Sequence, residues 1–543
     1  MTEEKQILKE GVRFKTNSPL DDLGLADAAS TERRIRSVTT TPIYSQKRDN
    51  RQQTTFDGRK IFAAVYKSLS SVPTFGDDII ENTPLSYLKD TSVEEVAHDL
   101  YKAIINRING AFPHIPNPPT IYQIQDVVTD VMRDMGLNKL VDHYYLYSSI
   151  HDALRRGELT EEQYRRAKQG TLGVDDATVA REREWYREMH CSNINELNEH
   201  IRNGTLEQLI DAQNIRYETQ LDTLTEVLLS KIHSSKIQSG LKILVIAGPS
   251  SSGKTWLAKK IERKLQIKGT KAMAVQFDNF FWPYHLHPLV RGTSPDYEQS
   301  MSLNIPGARE FLYKLLRDGT AEMPIYDFHG AKTSSSKTVE LPKDTLAIVD
   351  SHLGLFPPLL EIFDTSIIHK IYIENFHGFE SNILENKIYA EDIRLLRRSM
   401  RDVRERGHTP FATLEGWQNV QRGVNKYIKP YLTTADTCFN GALIHDLPFL
   451  AHAIDGMFVE PETFITQESN LDAYVRGMRI KGLLDRIDIS SRKDYIKPLL
   501  ESLSMFDPLR EFMGQNQKVE IKEEIKPEKT DFTNYPTMHR YAR

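Results

Sequence analysis

The chain has 543 residues, with 70 Lys+Arg against 75 Asp+Glu and a net charge of −5. That length exceeds one hydrophobic core, so two to four domains are expected, and the near balance of charge gives no electrostatic case for nucleic acid as a partner. No apolar run approaches the ~20 residues of a membrane helix, and Met1-Thr-Glu-Glu-Lys-Gln lacks the apolar stretch of a signal peptide. Two distant cysteines, Cys191 and Cys438, have no metal-ligand spacing and suit a reducing cytoplasm.

In chain order, residues 1–38 are polar and irregular and read as a flexible arm. Residues 39–157 form a first unit: short extended stretches near Ile43-Tyr44 and Thr54-Thr55-Phe56, then helical patterns at Lys60–Ser71, Val93–Asn109, Ile121–Met135 and Lys139–Arg156. Residues 158–235 are charged and helix-prone and read as a helical linker. From 236 to 450, apolar strands at 241–247, 272–277, 345–350 and 369–373 alternate with helices, which predicts an α/β unit with a parallel sheet flanked by helices. A helical extension is expected over 451–516, and 517–543, with its mixed-charge run, reads as a solvated tail.

The strongest local signal is Gly248-Pro-Ser250-Ser251-Ser252-Gly253-Lys254-Thr255, a complete Gly-x4-Gly-Lys-Thr between a predicted strand and a helix whose Leu257, Ile261 and Leu265 share one face. Backbone N–H groups of such a loop surround a nucleotide's phosphates. Lys254 is placed to reach the β- and γ-phosphates of ATP, and Thr255 to ligate Mg²⁺. Asp278 follows the next strand, where a carboxylate either accepts a hydroxyl proton, holds a metal or caps a helix. Leu346-Ala-Ile-Val-Asp350 is an apolar strand ending in an acid, the shape of a second metal-binding element. Six arginines fall within 394–406, with Arg394, Arg397, Arg401 and Arg404 on one helical face. They read either as a lid that brings cations to a moving phosphoryl group or as a salt-bridged helix partnered by Asp392, Asp402 and Glu405.

Together these pieces resemble the uridine kinase and phosphoribulokinase superfamily, in its long bacterial-type uridine kinase-like branch. The resemblance rests on Gly248–Thr255, Phe277-Asp278-Asn-Phe-Phe281, Pro324-Ile-Tyr326-Asp327-Phe328, Val349-Asp350 and the run from Arg397 to Gly407. It continues through Trp417–Gly423, Lys429-Pro-Tyr431 and Ala435–Ile444 to Pro508–Gly514. It implies a P-loop kinase fold and transfer of the γ-phosphoryl group of ATP, with Mg²⁺, to the 5′-hydroxyl of a nucleoside such as uridine or cytidine. By the same resemblance Asp278 is the base, Asp296 and Tyr326 hold the nucleoside, Asp350 stands at the acidic metal-associated position, and Arg401, Arg404 and Arg406 are lid arginines. The segment from Phe281 to Asn304 departs from the family pattern, and His329 is out of register with a family histidine. His285 and His287 there lack carboxylate support for a metal. A phosphoribulokinase-type sugar-phosphate kinase is an alternative, weakened because only Arg291 supplies positive charge in that segment. A non-catalytic nucleotide-switched scaffold is a third reading.

The first unit resembles an ATP-cone, through Lys47-Arg48-Asp-Asn50-Arg51, Phe56-Asp-Gly-Arg-Lys60-Ile61, Ile124-Gln-Asp-Val-Val128 and Tyr144–Tyr147. That resemblance implies a small helical module binding ATP or dATP and regulating the attached enzyme, with Lys47, Arg48 and Lys60 against the triphosphate. Ser148 and His151 stand where arginines often occur. The expected partners are thus a small nucleoside-like metabolite and adenine nucleotide, without nucleic acid or membrane; a homo-oligomer is compatible with the sequence.

Overall fold

The computed structural model describes residues 20, 23, 25, 27–38, 44–46, 53–71, 91–112, 119–169, 176–233, 240–290, 294–328, 330–376, 378–380, 388–455, 467–504 and 507–513. The expected tail at 517–543 and the residues Lys47, Arg48, Arg291 and His329 lie outside them.

The first unit is mainly helical. Within the stretch expected to be an irregular arm, Ala28–Ser37 (α1) is a helix, because Asp27 caps it and Thr31 and Ile35 are buried. A short antiparallel pair, Tyr44–Gln46 (β1) with Gln53–Thr55 (β2), precedes helices Gly58–Ser71 (α2), Val93–Ala111 (α3), Ile121–Asp134 (α4) and Asn138–Arg155 (α5). Local chemistry fixes the starts of α3 and α4. Ser92 accepts from the Glu95 N–H, and Thr120 with Gln123 forms a reciprocal capping box at α4. Leu100, Ile104, Ile108, Val128, Met132 and Val141 meet in one core.

Residues 158–235 do not behave as a linker. Helices Glu161–Gln169 (α6), Asp176–Glu188 (α7), Ile194–Asn203 (α8) and Leu206–Ile232 (α9) are followed directly by the sheet domain. Tyr186, Leu197, Leu209, Leu221 and Leu228 share a continuous hydrophobic core with that domain. The sequence pattern hid this because the apolar positions are diluted among charges that face solvent, such as Glu218, Asp222 and Glu226, each paired with a lysine on the next helix or at its C-terminal end.

The sheet domain has five parallel strands. In chain order they are Ile243–Ala247 (β3), Ala272–Gln276 (β4), Leu346–Asp350 (β9), Ile368–Glu374 (β10) and Thr437–Asn440 (β11). Two antiparallel pairs intervene, Leu289–Val290 (β5) with Ser294–Pro295 (β6) and Thr320–Asp327 (β7) with Lys332–Glu340 (β8). The spatial order of the large sheet is β11-β10-β3-β9-β4. Strand alternation sorts its side chains: Ile243, Val245, Ala347 and Val349 face a core built with helix Ile305–Asp318 (α11). Leu244, Ile246, Leu346 and Ile348 face the core that holds α9, Lys254–Ile267 (α10) and Ala390–Arg401 (α12). Both faces are covered, as all-parallel sheets require. Helices Pro410–Gly423 (α13) and Asp446–Ile454 (α14) complete the domain, and Gln467–Leu484, Lys493–Ser502 and the short Arg510–Met513 form a helical extension against it.

Candidate active site

The strands deliver their C-terminal ends to one edge, where ligand crevices of open α/β sheets form. β3 ends in the glycine loop, β4 runs into a turn carrying Asp278, and β9 ends at Asp350, in register with Ile246 and Gln276.

The loop fits phosphate for steric and electrostatic reasons. A Cβ at Gly248 would stand 2.1 Å from the Ile373 carbonyl oxygen, and Gly253 has φ +95°, so neither position accepts a side chain without strain. Ser251 holds φ +61°, an uncommon conformation for a non-glycine residue and one that clusters at functional sites. The Ser251 and Ser252 hydroxyls are buried without a partner among the described residues. Helix α10 starts at Lys254, so the N–H groups of its first turn lie next to the loop. The Lys254 ammonium donates to the Pro249 carbonyl at 2.9 Å, and burial lowers its pKa against the pull of Asp350 and Asp278.

The two carboxylates have opposite environments. Asp278 faces the cavity; enclosure pushes its pKa up, but the neighbouring His352, Lys254 and Arg406 together hold it down at about 2. His352 Nδ1 lies 3.5 Å from Asp278 Oδ1. Asp350 is buried, which raises its pKa to about 6, with Lys254 opposing and Asp278 reinforcing the shift. The Thr255 hydroxyl donates to Asp350 Oδ2 at 2.7 Å. This hydroxyl–carboxylate pair suits Mg²⁺, which takes oxygen donors and only one or two protein ligands, drawing the rest from phosphate and water. Among the described residues no group of three or more His, Cys, Asp or Glu side chains is arranged around a metal position.

The arginine run divides between the two readings. Arg394 and Arg397 are fully buried and structural: Arg394 pairs with Glu374 at 2.8 Å, and Arg397 pairs with Asp446 while donating to the carbonyls of Gly441 and Ser251. Arg398 and Arg401 each donate to the Ser250 hydroxyl at 2.8 Å, so their guanidinium groups stand over the glycine loop. After Arg401 the helix widens into a π-turn, Asp402–Arg406. Arg398 and Arg406 both pair with Asp402, whose carboxyl is held well below the carboxylate range: their charges outweigh its burial. Burial beside Arg401 and Arg398 lowers the Arg406 pKa to about 9, leaving it cationic at neutral pH. Arg406 also lies over the Phe328 ring, 5.0 Å from its centre. Arg404 turns away, to Glu405 and the Glu511 carbonyl, and lines an adjoining cavity with Arg401 and Arg406.

One cavity gathers Ser250, Ser251, Gly253, Lys254, Thr255, Asp278, Asp350, Arg398, Arg401 and Arg406. Its far wall is aromatic, made by Phe281, Tyr297, Phe328 and His352. Asp296 and Tyr326, expected against a substrate, are not among its lining residues. Asp296 is buried in an ion pair with Arg422 and accepts from Gln299 Nε2 at 2.9 Å, which braces the loop from behind. Tyr326 is buried beneath Phe281 and Phe328, and its neighbour Tyr297 takes the place on the cavity wall. Lys60 is exposed on α2. Sequence reasoning passed over Arg398, His352, Tyr297 and Glu511. Arg398 was off the face counted as a lid, and the other three bear no local motif.

Glu511, from the C-terminal extension, also enters the cavity. Its Oε2 accepts the Trp256 N–H of the α10 first turn at 3.0 Å. Burial raises its pKa against Arg401, that N–H and Lys254.

A family model described as "Phosphoribulokinase / Uridine kinase family" matches residues 243–447. The chain carries a kinase domain of that family. The domain is that of a phosphotransferase with a hydroxyl acceptor. The chain is similar to a uridine kinase of Geobacillus sp. (strain WCH70), 27% identical over 238 residues, covering 42% of this chain and 97% of that protein. It is equally similar to a uridine kinase of Bacillus mycoides (strain KBAB4), 27% identical over 232 residues with the same coverage of both chains. Among solved structures, one described as a possible uridine kinase from Bacillus stearothermophilus is 19% identical with a TM-score of 0.25, covering 29% of this chain and 80% of that one. Among the described residues no helix of the kinase domain or elsewhere is long and apolar enough to cross a membrane.

Proposed function

We propose that the chain is an ATP-dependent kinase of a nucleoside, with uridine or cytidine the preferred acceptor and the 5′-hydroxyl the reacting group. The observation that carries this reading is the placement of Asp278 in one cavity with Lys254, Thr255 and the arginines, opposite an aromatic wall suited to a flat base. In this reading the loop N–H groups and Lys254 bind the phosphates. Thr255 and Asp350 would hold Mg²⁺, which would neutralise charge on the phosphate oxygens. Asp278 accepts the hydroxyl proton as the new O–P bond forms and the bond to the ADP oxygen breaks. Arg398, Arg401 and Arg406 stabilise the charge on the transferring group; Arg404 supports them from the neighbouring cavity. Relatives of uridine kinase name support the acceptor class. Asp296 and Tyr326 serve it by bracing the loop and the aromatic wall.

The test is incubation of the full chain with ATP, Mg²⁺ and a panel of nucleosides and sugar phosphates, with products read by mass spectrometry and Lys254→Ala as control. A nucleoside monophosphate absent from the control supports the reading; a product from a sugar phosphate alone, or none from any acceptor, defeats it. We further propose that the first unit senses ATP or dATP and biases the kinase through its packing on it. Asp142 of α5 accepts from Gln418 and Asn425, and Arg156 donates to the Tyr431 hydroxyl at 3.2 Å. Such coupling must be reciprocal. It is refuted if dATP changes neither turnover nor acceptor affinity.

A further inference from the structure

His352 occupies a distinctive place. It lies two residues beyond Asp350 on the turn after β9, and 9% of its surface is exposed. Its ring stacks on Phe281, with centroids 5.7 Å apart and planes 16° apart. Phe281 in turn packs against Tyr297, Tyr326 and Phe328, so the imidazole is clamped by the whole aromatic wall. A clamped ring has one orientation, and this one sets Nδ1 3.5 Å from Asp278 Oδ1. Nε2 is buried and has no partner among the described residues, so Asp278 is the only polar group the ring addresses there.

Asp278 needs such a partner. It sits on a single 3-10 turn, Phe277–Phe280, whose other polar side chain, Asn279, is committed elsewhere, to the Gln276 carbonyl and the Tyr326 N–H. Among the described residues, no backbone or side-chain donor other than the imidazole stands against its carboxylate to fix its torsion. A base that swings loses effective concentration, and small displacements from productive geometry cost large factors in rate.

We propose that His352 is the positioning residue for Asp278. The imidazole donates Nδ1–H to one carboxylate oxygen and thereby turns the other toward the acceptor hydroxyl. In the step, the hydroxyl proton passes to Asp278, the acceptor oxygen bonds to the γ-phosphorus, and the electron pair of the broken P–O bond leaves with ADP. His352 keeps its proton throughout. The neutral ring with hydrogen on Nδ1 meets this requirement, and the imidazolium meets it too. This inference rests on Asp278 being the base, and it adds a residue whose placement no local motif announces.

The test uses the full chain with ATP, Mg²⁺ and uridine, and three variants. His352→Phe keeps the stack and removes the donor; it should lower kcat by about tenfold to a hundredfold while leaving the KM for ATP within about twofold, since a positioning loss is a fraction of the 10²–10⁴ that general-base catalysis supplies. His352→Asn places an amide N–H near the Nδ1 position and should recover most of kcat, which a merely structural role would not produce. Asp278→Ala should abolish turnover. Equal kcat in His352→Phe and the parent, with Asp278→Ala inactive, overturns the role of His352 alone. Full turnover in Asp278→Ala overturns the base assignment beneath it. A measurement independent of the acceptor is ¹⁵N NMR of histidine-labelled protein, with the His352 signal assigned by its loss in His352→Phe. A signal carrying hydrogen on Nδ1 that changes in Asp278→Ala is expected. A ring with hydrogen on Nε2 alone, indifferent to Asp278→Ala, overturns the proposal whichever acceptor the enzyme uses.

Discussion

The two ends of the cavity are built by different physics. The loop end is made of backbone and fixed charge: strained Ser251, two glycines without steric alternatives, Lys254 and the guanidinium groups of Arg398 and Arg401. The acceptor end is made of packing, where Phe281, Tyr297, Phe328 and His352 hold one another by ring contacts beside the Asp278 carboxylate. Under the proposed function the first end meets what is common to all nucleoside triphosphates, and the second meets what receives the phosphoryl group.

The largest effect should come from the charged end. Lys254→Ala removes the ammonium buried beside the loop and is expected to lower kcat by about 10²–10³-fold or more, the range for loss of a transition-state charge partner. Its melting temperature should hardly move, because burial already penalises that charge. Loss of turnover at unchanged fold, followed by circular dichroism and product formation, checks both halves.

The arginines of α12 sharpen the same contrast. Arg397→Ala strips the buried partner from Asp446 and should cost about 3–5 kcal/mol of stability. Arg401→Ala, one turn along, should leave stability within about 1 kcal/mol, as a partly exposed group allows, yet lower turnover by about tenfold or more. Denaturant melts beside turnover assays separate the two. If Arg401→Ala unfolds the protein and Arg397→Ala does not, the division of the helix into a structural and a functional face is wrong.

This division also shows how far the sequence could be read. The glycine loop, the strand alternation and the acid at Asp350 are local patterns, and local patterns dictate them physically: a tight turn needs glycine, and a doubly covered strand needs continuous apolar residues. Helix boundaries in the first unit fell within a few residues of expectation because caps such as Ser92 and Thr120 are themselves local. What depends on chain segments far apart was not legible. Whether an arginine faces Glu374, Asp446 or Ser250 depends on residues 20 to 148 positions away. Asp296 carries the right charge for a substrate ligand, but Arg422 from α13 reaches it first. The region read as a linker packs as core because its apolar residues find the sheet domain rather than each other.

A smaller and pH-dependent effect tests the metal corner. The pKa of Asp350 is raised on folding, from a usual carboxylate value to about 6. Its contribution to stability is therefore fully present below the unfolded pKa and is lost as pH rises through about 6. Without nucleotide or metal, Asp350→Asn should be more stable than the parent at pH 7.5 by about 1–3 kcal/mol, with the difference vanishing near pH 4. Thermal melts at the two pH values read it. A variant less stable at pH 7.5 would mean that Lys254 and Thr255 stabilise the charged carboxylate more than burial disfavours it.

The smallest predicted effect concerns Glu511, where the C-terminal extension reaches across to the charged end. Helix N-termini attract anions, and the α10 first turn already holds one: the Glu511 carboxylate on the Trp256 N–H, with Lys254 and Arg401 near. A nucleotide phosphate seeking the same N–H groups meets a like charge, which must withdraw or be neutralised. Glu511→Gln keeps the shape and removes the charge, so ATP should bind about three- to tenfold more tightly, a change of roughly 1 kcal/mol that matches one exposed-to-partly-buried charge contact. The raised pKa of Glu511 gives the same expectation a second handle. Protonation relieves the repulsion, so the advantage of the variant over the parent should shrink as pH falls toward the carboxylate range. Calorimetric titration of ATP into both proteins across pH reads the difference directly. Weaker binding in Glu511→Gln would mean that the carboxylate orders the loop for nucleotide rather than competing with it, and the two ends of the cavity would then share one logic of packing first and charge second.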